Sequence, residues 1–338
     1  MVVTFGEIML RLSPPGYQRL SQAHSLEMTF GGGEANVAVS LSNFGVPARF
    51  VTRLPDNDLG KACAGELKRW GVDTSGIGYG GDRIGIYFCE KGASQRPSKV
   101  TYDRAGSAIA EARPEDFDWD AIFEGAQWFH FTGITPALGD SVAAAVLEAC
   151  RKAKQRGITI SCDLNYRKKL WSREKARSVM TGLMEYVDVL IANEEDAADV
   201  FGIRAQQSDV TQGRISEEGY RQVARQLSET FSFAKTAITL RESVSASHNN
   251  WSALLYDGKE FYSSQKYSIQ IVDRVGGGDS FGAGLIYGLS NQYSCQETLD
   301  FAVAASCLKH TVEGDFNLVN VSEVKALAGG DGSGRVQR

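Results

Sequence analysis

The chain has 338 residues, 43% of them hydrophobic, and a formal net charge of −5. That length suffices for one large domain with a full α/β core, and the mild negative charge offers no field to nucleic acid, so a bound anion must be held by local groups. No run approaches the roughly 18 apolar residues of a membrane helix, and the N-terminus lacks the basic start and small-residue cleavage site of a secretion signal, which points to the cytoplasm.

From the N-terminus onward, short β-branched or aromatic runs alternate with segments of helical period, the pattern of a mostly parallel sheet covered by helices. Central strands are expected at 2–6, 128–132, 158–163, 187–192 and 236–240, and helices at 36–44, 59–70, 141–155, 173–186, 218–231, 279–290 and 296–310. Two early stretches break the alternation. Residues 11–30 and 83–104, the latter with Ile84, Ile86 and Phe88 at every second position, read as a small sheet standing off the main domain over a cleft. Residues 205–217 are polar and read as a surface loop, and the glycine-rich tail 329–338 reads as disordered, which leaves 1–328 as the folded domain. Cys63, Cys89, Cys150, Cys162, Cys295 and Cys307 have neither C-x-x-C nor zinc-ligand spacing and read as reduced core fillers.

The densest motif is Asp273-Arg274-Val275-Gly276-Gly277-Gly278-Asp279-Ser280-Phe281-Gly282-Ala283-Gly284. Three glycines running into a helix present free backbone amides and the positive end of the helix dipole, which together bind anions. Asp279 would then stand beside a phosphoryl group as an oriented base. The same residues also describe a glycine turn with Asp279 as an ordinary helix cap, and the motif alone leaves both open.

A second glycine cluster, Phe30-Gly31-Gly32-Gly33-Glu34-Ala35-Asn36-Val37-Ala38, again enters a helix; its backbone at Gly33 can approach a small polar ligand, to which Asn36 offers a donor and an acceptor. A capped helix packed tightly on a strand fits these residues equally. Competing nucleotide motifs fail: no G-x-x-x-x-G-K-[ST] occurs, and the G-x-G-x-x-G at Gly76-Ile77-Gly78-Tyr79-Gly80-Gly81 precedes a strand-like run rather than a helix. It reads as a loop, so a dinucleotide-dependent dehydrogenase is unsupported.

A GGxxxNVA near the N-terminus combined with DxxGxGDxF near the C-terminus resembles the ribokinase-like (PfkB) carbohydrate kinases, and the resemblance runs to about residue 324. It implies a three-layer α/β/α sandwich with a mostly parallel central sheet and a small β-sheet lid. It also implies an ATP-dependent sugar kinase with Asp279 as base and Gly276, Gly277 and Gly278 as the anion hole. Asp273 matches an acidic residue that in many members helps hold a monovalent cation such as K⁺. Asn193-Glu194-Glu195-Asp196 matches an N-x-x-E that organises Mg²⁺ through water, with Asp196 a methylene shorter than the family's glutamate and Glu195 able to share its role. Thr239 and Arg241 fall where the nucleotide loop follows a strand, although Glu242 and Ser243 stand where the family often has glycines.

Four local runs make the chain most similar to the branch of that family acting on 2-keto-3-deoxygluconate: 33–36, 100–108, 163–171 and 310–317. The resemblance implies a sugar-acid substrate bound by Gly33, Asn36, Tyr87, Tyr102, Arg104, Arg167 and Asp315, with Asn165 and Arg167 also at the nucleotide. A guanidinium offers a fork matched to a carboxylate, which suits Arg104 and Arg167 to an acid sugar. The alternative is another sugar kinase of the same family, acting on fructose or a related ketose, since the 163–171 run occurs in fructokinases too. A homo-oligomer is expected, with neither nucleic acid nor membrane as partner.

Overall fold

All five runs expected as central strands enter one sheet, because each is buried on both faces as a parallel strand flanked by helices must be. The computed structural model describes residues 1–205, 217–332 and 334. Most of the polar loop expected at 205–217, and residues 333 and 335–338 of the tail, lie outside the described residues.

The large sheet contains β1 (Val2–Phe5), β4 (Ala48–Leu54), β5 (Ile77–Tyr79), β8 (Trp128–Thr132), β9 (Thr159–Asp163), β10 (Val189–Ala192), β11 (Lys235–Ser243), β12 (His248–Tyr256), β13 (Phe261–Ser263) and β14 (Tyr267–Gln270). Its spatial order is β13-β12-β11-β10-β9-β8-β1-β4-β5, with β14 also on β12; the run from β11 to β5 is parallel and β12 to β14 are antiparallel additions. Alternate strand residues supply two cores. Val189 and Ile191 join the core beneath α1 (Gly33–Asn43), α2 (Asp58–Arg69), α8 (Gly277–Ser290), α9 (Cys295–Lys309) and α10 (Val321–Ala328). Leu190 and Ala192 join the core beneath α3 (Trp119–Ile122), α4 (Asp140–Gln155), α5 (Arg173–Met184), α6 (Glu194–Phe201) and α7 (Glu217–Phe231). The result is the three-layer α/β/α sandwich of the ribokinase-like fold.

A separate four-stranded sheet, β3-β2-β6-β7, is formed by β2 (Met9–Ser13), β3 (Glu27–Gly31), β6 (Ile86–Glu90) and β7 (Lys99–Asp103), from the two stretches that broke the alternation. Its outer strands are largely solvent-facing, whereas Met9, Tyr87 and Cys89 form a small core of their own.

Several elements differ from the sequence reading. Residues 48–54 form a central strand that Arg49 and Arg53 disguised; their heads reach Asp73 and Asp116 at the sheet margin. The glycine motif at 76–81 is not all loop, since Ile77–Tyr79 pairs in parallel with β4 as an edge strand. The strand expected at 236–240 continues to Ser243, because it zips antiparallel onto β12.

The topology places a crevice. The chain leaves β1 toward β4 and β5, then returns to build β8, β9, β10 and β11 on the other side, so strand order reverses between β1 and β8. Ligands of open α/β sheets lie outside the carboxyl ends of strands at such a switch point. Glu7, Thr132, Asp163 and Asn193 stand at or just beyond the ends of β1, β8, β9 and β10.

Candidate active site

The N-terminus of α8 opens on this crevice. Gly276 caps the helix at φ 83°, a left-handed conformation natural to glycine, and a Cβ there would lie 2.0 Å from the Asp315 carbonyl oxygen. A Cβ on Gly277 would lie 2.4 Å from the His310 ring, whereas one on Gly278 would meet nothing within 4 Å. The first two glycines thus let the turn fit its neighbours, and the third keeps the approach to the amides open. First-turn amides have no intrahelical acceptors and lie at the positive end of the dipole, so the turn can hold an anion. Gly284 and Gly288 let α8 press its backbone against Ala302 and Thr298 of α9, which fixes the helix rigidly behind its working end.

Asp279 lies in the first turn of α8. Asn36, buried in α1, donates from Nδ2 to Asp279 Oδ2 at 2.7 Å, and its Oδ1 accepts from the Gly32 amide at 3.3 Å. Burial pushes the Asp279 carboxyl up to about 6; the Asn36 bond opposes this, Asp315 adds to it, and Arg167 and Lys309 pull the other way. Near pH 7 the group is mostly ionised yet basic enough to take a proton, the poise a general base needs. A Cβ on Gly33 would come within 3.6 Å of Asp279 Oδ1, so the missing side chain keeps space over the carboxylate.

Beyond Asp279 the strand ends bring together Asp163, Asp196 and Arg167. Burial first, then the charges of Asp196 and Asp279, holds Asp163 well above the carboxylate range. Burial likewise raises Asp196 to about 7 against the pull of Arg167. Asn193 caps α6 by accepting from the Asp196 amide at 2.7 Å and donates to Asp196 Oδ2 at 3.0 Å, which aims that carboxylate; Glu195 faces solvent. Asn165 adopts φ 37° and turns its amide back onto Asp163 Oδ1 at 3.2 Å. Such carboxylates, short of positive charge, fit a divalent cation held through water and phosphate oxygens. Among the described residues no three His, Cys, Asp or Glu side chains converge to ligate a metal directly.

The other side of the anion turn is occupied by Arg11 of β2. Its Nη1 donates to Asp315 Oδ1 and its Nη2 to Asp273 Oδ2, each at 2.6 Å, and the Tyr87 hydroxyl donates to Asp315 Oδ2 at 2.6 Å. Tyr87 and Asp315, expected to face a ligand, are therefore buried and bonded to each other. Gly31 makes room for this cluster, since a Cβ there would fall 2.0 Å from Asp315 Oδ2. Asp273, expected to help hold a monovalent cation, also accepts from the Val275 and Gly314 amides.

Arg104, at the end of β7, reaches down to the buried Glu7, which also accepts from the Ser107 hydroxyl at 3.0 Å. The Arg104 guanidinium lies 5.2 Å from the centre of the half-exposed Tyr102 ring, and its Nε has no partner among the described residues. Thr239 and Arg241 lie within β11 rather than in a loop; Arg241 is exposed, and its charge acts on Glu194, Arg274 and His310. The sequence reading did not single out Arg11, Glu7, Lys309 or Asp163 as site residues. Asp163 alone had a local signal, its place at a strand end.

A mostly parallel sheet with a helix N-terminus, an oriented carboxylate and a carboxylate-rich strand rim at its switch point, covered by a small sheet, defines the ribokinase-like class of phosphotransferases. The chain belongs to the pfkB family of carbohydrate kinases, whose sequence profile matches residues 1–320, and it is a sugar kinase. It is similar to the crystal structure of 2-dehydro-3-deoxygluconokinase from Thermotoga maritima, at 52% identity and TM-score 0.94, over 97% of this chain and 98% of that one. A PfkB family carbohydrate kinase from Listeria grayi superposes with TM-score 0.90 at 35% identity, over 97% of this chain and 99% of that one. The 2-dehydro-3-deoxygalactonokinase of Haloferax volcanii is 35% identical over 98% of this chain and 97% of its own.

Proposed function

We propose that this sugar kinase transfers the γ-phosphoryl group of ATP to the 6-hydroxyl of 2-dehydro-3-deoxygluconate, also called 2-keto-3-deoxygluconate, in the cytoplasm. The observation that carries the transfer is the Asn36-held Asp279 carboxylate beside the open amide face at Gly278. Asp279 takes the proton of the sugar hydroxyl as its oxygen bonds to the γ-phosphorus; the bond from that phosphorus to the bridging oxygen breaks and ADP leaves. The amides at 276–279 receive the charge on the transferring group. Asp196, aimed by Asn193 and adjoined by Asp163, would hold Mg²⁺ through water, and the ion supplies positive charge to the phosphates. Thr239 and Arg241 in the second half of β11, with Asn165 and Arg167 just after β9, would contact the nucleotide. The small sheet excludes water that would otherwise hydrolyse ATP.

The acid sugar is favoured by the names of the relatives at 52% and 35% identity and by the charge at the rim. Arg104 stands beside the half-exposed Tyr102 at the end of β7 and Arg167 is exposed at a strand end, so both are suited to a substrate carboxylate, while Gly33 leaves room for the reacting hydroxyl. ADP release measured with 2-dehydro-3-deoxygluconate, its galactonate epimer and fructose tests the reading. The gluconate should give the highest kcat/KM, and Arg104→Ala should lower it for both acids at least about tenfold more than for fructose. Preference for fructose with no penalty from Arg104→Ala would contradict the acid-sugar assignment.

A further inference from the structure

We infer that the Arg11 guanidinium takes the place of a monovalent cation beside the anion turn, so that this kinase turns over without potassium or sodium. The inference rests on the reading of residues 276–279 as the phosphoryl site. Asp273, the carboxylate that would ligate such an ion, has both oxygens engaged: Oδ1 accepts from the Val275 amide at 3.1 Å, and Oδ2 from Arg11 Nη2 at 2.6 Å and the Gly314 amide at 3.2 Å. Asp315 is filled in the same way, by Arg11 Nη1 and the Tyr87 hydroxyl. The three charged side chains are only 2% to 3% exposed.

A second fixed cation adjoins the first. The Lys309 side chain is buried, its Nζ donates to the Val312 carbonyl at 3.1 Å, and its Cε would lie 3.2 Å from a Cβ on Gly276. Two side-chain cations therefore face the carboxylates of Asp273 and Asp315 against the same glycine turn. An alkali ion would have to displace a guanidinium bonded to both carboxylates and then sit beside an ammonium. Arginine stays charged at every working pH and donates in fixed directions, so it supplies both the charge and the loop geometry that a loosely held ion would. Because it arrives on β2, the small sheet carries part of the anion turn's support; Arg11 is a positioning residue.

The test uses the full-length chain with magnesium chloride, ATP and 2-dehydro-3-deoxygluconate, at constant ionic strength set by tetramethylammonium, sodium or potassium chloride. The expected kcat/KM values agree within about twofold across the three salts, and potassium gives no saturable rise in Tm over tetramethylammonium. Saturable activation by potassium of more than about fivefold, or a potassium-specific Tm rise, would overturn the inference. Absence of turnover in every salt would defeat the kinase reading instead, and the Tm comparison would still decide this one. Arg11→Ala should lose at least about tenfold in kcat and recover with added guanidinium, a rescue that a merely structural loss does not give. A folded Arg11→Ala enzyme with unchanged turnover in tetramethylammonium would also overturn it. If Arg11→Ala does not fold, Arg11→Lys keeps the charge, and it should retain cation-independent turnover.

Discussion

Asn36 and Asp279, 243 positions apart in the chain, meet at 2.7 Å between the first turns of α1 and α8. The two glycine clusters that stood out in the sequence thus serve one carboxylate: one supplies the base, the other the amide that orients it. Since that bond favours the ionised form, removing it has a sign as well as a size.

Asn36→Ala should lower kcat by about ten- to a hundredfold, with a smaller effect on the KM for ATP. The acidic limb of the kcat/KM profile, expected near the Asp279 value of about 6, should move upward, because the donor that opposed burial is gone. A pH profile between 5 and 9 checks it; a limb that stays put or moves down would show that the limb belongs to another group.

The three glycines should separate by what each missing Cβ permits. Gly278→Ala places a methyl in open space inside a helix, so Tm should hold or rise, by up to about 1 kcal/mol of stability, while kcat falls because the methyl stands over the amide face. Gly277→Ala meets the His310 ring at 2.4 Å and should lower Tm as well as activity. Thermal unfolding with parallel ADP-release assays distinguishes the two.

Three buried carboxylates should each destabilise the ligand-free protein as pH rises from about 4 to about 7. Against them stand the imidazoles of His130 and His310, which burial lowers to about 3 and about 4 and which act in the opposite sense up to 6.5. Asp279 is raised from 3.8 to about 6, Asp196 from 3.8 to about 7 and Glu34 from 4.5 to about 7, each mainly by burial. Across that window the native state holds protons at these three carboxyls that the unfolded chain has released, so at them unfolding gains from each increment of pH; above it their effect is constant. Carboxylates lowered by partners, such as Asp73 with the Ser75 amide and Arg49, act in the opposite sense only below their ordinary value of 3.8. Asp279→Asn should therefore raise Tm at pH 8, by a stabilisation of the order of 2 kcal/mol, and the difference should vanish near pH 4.

The parts legible in the sequence were those with a local cause. β8 was placed to the residue because Trp128, Phe129 and Phe131 allow no exposed face, and α8 was found because three glycines precede an apolar run. β4 was hidden by Arg49 and Arg53, whose aliphatic stems cross the sheet margin before their heads pair. Arg11 gave no signal at all, since its partners lie 262 and 304 positions away and a lone arginine in a strand reads as a solvent-facing charge. The same remoteness kept Tyr87 and Asp315 from being seen as a bonded pair, 228 positions apart.

Removing the base from Asp279 while keeping its shape bears most directly on the mechanism. Asp279→Asn should bind ATP with an affinity near that of the unaltered protein in calorimetry, yet release ADP from ATP and 2-dehydro-3-deoxygluconate at a kcat lower by about 10²- to 10⁴-fold. Turnover within a few-fold of the unaltered enzyme would contradict the assignment of Asp279 and, with it, the site built around α8.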